Sequence, residues 1–108
     1  MVYEIKHYGT HKGIFDNIWR AESRVKLENN REMKITTHKS NSGSVVTSAN
    51  VGINENNNWV WAPFSDFTKK LAVTKTARAT ERYIADQHAK AIENIETLAQ
   101  EAEAFYKK

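Results

Sequence analysis

Between residues 23 and 62 apolar side chains recur at every second position, in short runs separated by turn-forming clusters. Val25 and Leu27, Met33 and Ile35, and Val45, Val51 and Ile53 each fall on one side of an extended chain, as a strand with one buried and one wet face requires. Strands are therefore predicted over 24–28, 33–38, 44–53 and 59–62, divided by turn signals at 29–30, 40–43 and 54–58. An earlier run, 2–8, adds a fifth. Between it and the meander, Ile14, Phe15, Ile18 and Trp19 recur in helix-like pairs, so a short helix is expected there, with a hairpin turn at Asp16-Asn17 as the other reading.

Beyond the strands the period changes. From about Ala77 to Tyr106 there is no Gly or Pro and a dense supply of Ala, Glu, Gln and Lys, which predicts one long helix. Ile84, His88, Ala91, Ile95, Leu98, Ala102 and Phe105 are spaced by alternating fours and threes and form its apolar stripe. Phe67 and Leu71 do not fall on that stripe, so a separate turn of helix opening at Ser65 is expected upstream. The whole reads as one α+β domain, an antiparallel meander of four to five short strands followed by a long amphipathic C-terminal helix. Residues 1–64 would form the sheet-rich part and 65–108 the helical part.

A helix of thirty residues spans about 45 Å, whereas a five-stranded sheet of six-residue strands covers about 20 Å in each direction. The helix is therefore expected to overhang its sheet and leave Leu98, Ala102 and Phe105 wet, so a homodimer through this helix, or docking of its end on another protein, is predicted; the other reading is a kink, or an N-terminal helix folded back over the stripe. His88 lies within the stripe, where acidification would charge the pairing surface.

Composition narrows the function classes. The chain has 108 residues, enough for one core. Twelve of its apolar residues are alanines and only 20 are Val, Ile, Leu or Met, so small-residue packing must carry part of that core. There is no cysteine, which excludes disulfides, thiolate metal sites and cysteine nucleophiles and makes the cytoplasm the default location. No stretch has the composition of a signal peptide or approaches a membrane span, so no membrane partner is expected. The formal charge is +3, distributed as +5 over residues 1–82 and −2 over 83–108.

The basic portion offers a candidate contact surface. With a helix opening near Thr74, Lys75, Arg78 and Arg82 share its solvent side, and Lys69 and Lys70 precede them; five such cations could follow a phosphate backbone. Trp59 and Trp61 lie two apart in a predicted strand and are read as core beneath the helix or as a stacking platform. A metal site would need His7, His11 and His38 to converge with a carboxylate. No phosphate-cradling glycine loop, nucleophile elbow, metalloprotease helix or calcium loop is present, so neither catalysis nor a cofactor is called for.

A compact, cysteine-free, motif-poor domain of this kind is similar in style to small phage and mobile-element proteins that inhibit host complexes by occluding a surface, anti-CRISPR proteins among them; the resemblance covers no motif. The expectation is a non-enzymatic binding module that occupies a protein or nucleoprotein partner, with a direct nucleic-acid binder as the alternative.

Overall fold

The turns set the register of the sheet. Asn29 and Asn30 both take left-handed backbone angles, φ 59° and 62°, a conformation asparagine tolerates better than most residues. Gly43, at φ 85°, closes the next turn, where the Ser40 amide donates to the Ser44 carbonyl at 2.7 Å. The computed structural model describes residues 3–15, 17–40, 43–56, 58–61, 67–75 and 78–107, with only the backbone of Asn54, Glu55, Trp59 and Trp61.

Among the described residues six antiparallel strands result: β1 (Ile5–Lys12), β2 (Trp19–Lys26), β3 (Arg31–Lys39), β4 (Ser44–Glu55), β5 (Asn58–Trp61) and β6 (Thr68–Lys75). The first five pair in sequence order, and β6 also pairs with β4. Gly52 opposes Trp61 while Asn50 opposes Thr68, so β5 and β6 lie end to end along the same edge of β4 and share the fifth ladder position. One extra residue bulges from each edge of the sheet, Tyr8 in β1 and Leu71 in β6.

Alternation then sorts the side chains. Ala21, Ser23 and Val25, Met33, Ile35 and Thr37, and Val45, Thr47, Ala49 and Val51 are all buried on one face. Two helices cover that face, α1 (Glu81–Ile92) and α2 (Ile95–Tyr106). Thr80 caps α1 by accepting from the Tyr83 amide at 3.1 Å. Ile84 packs on Ala21 and Val45 at one end of the sheet, while Ile95, Leu98, Ala99 and Ala102 pack on Val25, Met33, Ile35 and Val51 at the other.

Three expectations are corrected. The single long helix is broken at Glu93-Asn94 into two twelve-residue halves, each about 18 Å long. No glycine or proline marks the break; it lets each half follow its own part of a twisted sheet, which a straight rod could not. Nor does the end overhang. Leu98 and Ala102 are buried, and the Glu103 carboxylate accepts from the Glu28 amide at 2.9 Å while Arg31 lies 4.1 Å from the Tyr106 ring, so α2 is pinned to the β2–β3 turn. Of the three residues expected to be wet only Phe105 is exposed, at 41%, so the wet stripe shrinks to one side chain at its end.

Second, no helix forms near the N-terminus among the described residues, and the hairpin reading of this segment holds instead. The Gly13 amide donates to the Ile18 carbonyl at 2.9 Å and Lys12 pairs with Trp19, so the segment is the tip of a β1–β2 hairpin. Third, the stretch read as helix from Ser65 contains strand β6; Ser65 itself lies outside the described residues, but Thr68, Val73 and Thr74 are β-branched and favour an extended chain. Among the described residues no helix is long and apolar enough to cross a membrane.

Candidate polyanion interface

With both helices on one face, no described helix or strand covers the other face of the sheet, and the polar phase of the strand alternation decides what it displays. By register it carries Lys6 from β1, Arg20, Arg24 and Lys26 from β2, Lys34 from β3, and Lys70 and Lys75 from β6. Three carboxylates meet these cations, and all are engaged: Glu22 Oε2 lies 2.7 Å from Arg24 Nε, Glu32 Oε1 lies 3.4 Å from Arg24 Nη1, and Glu4 Oε2 lies 3.5 Å from Lys26 Nζ. Tyr8, placed on this face by its bulge, lies under two cations, with Lys6 Nζ 5.0 Å and the Arg24 guanidinium 4.8 Å from its ring.

The charge is segregated by layer. The six strands hold eleven Lys and Arg against three Asp and Glu, whereas residues 81–107 hold three against six. The strand layer is thus net positive and the helical layer net negative, with seven of the eleven strand cations on the face away from the helices by register. Burial lowers the pKa of Lys34, with the neighbouring Arg24 acting in the same direction against Glu22; such a position gains from a bound anion.

At the hairpin-tip end the open face sinks into a depression of about 460 Å³ lined by Ile18, Arg20, Glu22, Lys34, Thr36, His38, Lys39 and Ser40, among others. Four of these side chains can carry positive charge and two are hydroxyl donors, a set suited to phosphoryl oxygens. His38 Nδ1 lies 3.1 Å from the Lys39 carbonyl oxygen, which orients its ring.

The residues singled out from sequence divide. Lys70 and Lys75 join the open face, but Lys69 turns to the helix side, 2.7 Å from Glu101. Arg78 precedes α1 and is exposed; Arg82 is 92% exposed and 3.9 Å from Asp86 on the next turn. The five cations therefore form no single helical row, because three of them are in a strand. Ile84, His88, Ile95, Leu98 and Ala102 are buried within the subunit, and Ala91 lines a groove of about 300 Å³ between β6 and the helix break. Phe105 is 41% exposed and makes edge contacts with Phe67 and Tyr106. Trp59 and Trp61 oppose Asn54 and Gly52 in register; their side chains lie outside the described residues. Arg20, Arg24 and Lys34 were missed, although they occupy the same polar period-two phase that marked the strands.

The histidines do not converge, and no three potential ligands cluster as a metal site among the described residues. His7 and His88 instead belong to a chain of hydrogen bonds that runs from the exposed His7 into the core. His7 Nδ1 lies 2.8 Å from Ser23 Oγ, which lies 2.8 Å from His88 Nε2; His88 Nδ1 is 2.9 Å from Thr37 Oγ1, and Thr37 Oγ1 is 2.8 Å from Thr47 Oγ1. Burial, with His7 close by, lowers the His88 pKa to about 4. Ser23 is fully buried and His88 nearly so, and the pair forms a polar seam between the two apolar clusters.

No protein-family model matches the chain, and neither the curated proteins nor the solved structures show a significant likeness to it.

Proposed function

We propose that this protein is a non-enzymatic binding module that occupies a polyanionic macromolecular surface, a nucleic acid or nucleoprotein, through the open face of its sheet. The observation that carries the reading is the segregation of charge: seven cations share an uncovered face by register, while the layer behind it is acidic. A surface of this kind gains affinity by releasing counterions from phosphates. The acidic helices orient the molecule during encounter, so that the sheet leads.

Occupation rather than turnover is favoured because the Ser23–His88 pair, although linked to the exposed His7, is itself buried beneath the helices. A cationic face also suits the nucleoprotein assemblies that small occluding inhibitors engage, which keeps an inhibitory role within this proposal. Apolar docking through the C-terminal helix is the weaker reading, since Leu98 and Ala102 are covered by the subunit itself and only Phe105 of that end is exposed.

The reading is tested by fluorescence anisotropy with a labelled oligonucleotide over about 50 to 200 mM salt. Binding is expected to weaken steeply as salt rises, and the double reversal Lys34→Glu, Lys70→Glu to abolish it, with Arg82→Glu at the helix start nearly silent. Salt-independent binding, or equal loss from Arg82→Glu, would refute it.

A further inference from the structure

Ile14 and Phe15 stand apart from every other apolar residue described: they are 92% and 100% exposed, side by side at the tip of the β1–β2 hairpin. The tip is held out from the body. The Gly13 amide bonds to the Ile18 carbonyl at 2.9 Å, Lys12 Nζ lies 5.3 Å from the Trp19 ring, and Asn17 takes φ 58° to turn the chain. A chain whose core relies on alanine has nonetheless placed an isoleucine and a phenylalanine fully in water. Ile18, three residues from Phe15 and so within about 10 Å along the backbone, lines the cationic depression.

We propose that the hairpin tip is a base-stacking element: Phe15, backed by Ile14, takes an unpaired base of a single nucleic-acid strand whose adjacent phosphate enters the depression beside Arg20, Lys34 and His38. This rests on the polyanion reading and names the partner within it. The joined features match the two halves of a nucleotide, an apolar ring surface for the base and a charged hollow with hydroxyl donors for the phosphate. A single strand fits better than a duplex, because its bases offer a free face without unstacking. A lipid surface would ask for cations gathered around the tip alone. Here they extend across the sheet to Lys70 and Lys75 on the far edge, about 19 Å away at the usual strand spacing, which suits a strand laid over the face.

The test uses the full chain and a fluorescein-labelled twenty-nucleotide oligothymidylate. Phe15→Ala is expected to weaken binding about ten-fold while leaving the slope of log affinity against log salt unchanged, because that slope counts phosphates neutralised. Phe15→Trp should restore affinity, and Lys34→Glu should reduce the slope itself. Phe15 being exposed, circular dichroism and melting of Phe15→Ala should match the parent. If the parent binds and Phe15→Ala binds equally well, the stacking proposal fails and the polyanion reading stands. If the parent ignores the oligonucleotide at low salt, both fail. If Phe15→Ala loses binding only to vesicles of phosphatidylserine and phosphatidylcholine, the tip is a lipid element and the proposal is overturned.

Discussion

Acidification from pH 7 to pH 5 should unfold this protein more easily through one side chain, His88. Its imidazole is 6% exposed and hydrogen-bonded to Ser23 and Thr37, and burial holds its pKa near 4 against an ordinary value of 6.5. His7 of β1 faces it across Ser23 and opposes its protonation, while Glu22 of β2 favours it less strongly. The folded pKa lies below the unfolded one, so between about pH 6.5 and 4 the unfolded chain binds the proton more readily. The stabilisation is complete above this window and is lost as pH falls through it. Integrated from pH 7 to pH 5 the loss is about 2 kcal/mol, from a full difference of about 3 kcal/mol reached below pH 4. Urea unfolding followed by tryptophan fluorescence at the two pH values measures it. His88→Gln keeps an amide that can reach both hydroxyls but cannot titrate, and carboxylate effects common to both proteins cancel in the comparison. The parent should lose about 2 kcal/mol more than His88→Gln. Equal losses, or a His88 ring that titrates near 6.5 by NMR, would refute the reasoning.

Three further outcomes follow from the packing. Ile84→Ala removes the fully buried side chain joining α1 to Ala21 and Val45 and should cost about 2 to 5 kcal/mol by urea unfolding. Glu103→Ala leaves the Glu28 amide without its side-chain acceptor and should cost about 1 to 3 kcal/mol, with faster amide exchange localised to the β2–β3 turn. Because Leu98 and Ala102 are covered and the half-exposed Phe105 rests on Phe67 and Tyr106, Phe105→Asp should leave the molar mass measured by light scattering unchanged; a parent dimer dissociated by this substitution would restore the association argument.

The meander was legible because its signals are local. Alternation in residues 33–38 and 44–53 and the Asn29-Asn30 turn each depend on a few neighbouring residues, and all three reappear as β3, β4 and their turns. The errors arose where tertiary geometry overrides local preference. Asn94 is only a mildly poor helix former, so nothing in residues 77–106 revealed the break imposed by the sheet beneath. Lys69 and Lys70 resemble a helix approach by composition, but Phe67, Lys69 and the bulged Leu71 meet the covered face at strand spacing. The cationic face was legible in principle: Arg20, Glu22, Arg24 and Lys26 alternate with Ala21, Ser23 and Val25, and reading the polar phase of β2 with the same care as its apolar phase would have found it. What local pattern could not show is that both helices choose the same side.

The central claim, that the open sheet face meets a polyanion, is tested most directly by titrating isotope-labelled protein with oligothymidylate and mapping amide shift changes. The account predicts changes at Lys6, Arg20, Arg24, Lys34 and Lys70 and at the hairpin tip around Phe15, with α1 and α2 silent. Changes confined to the helices, or none at low salt, would contradict it.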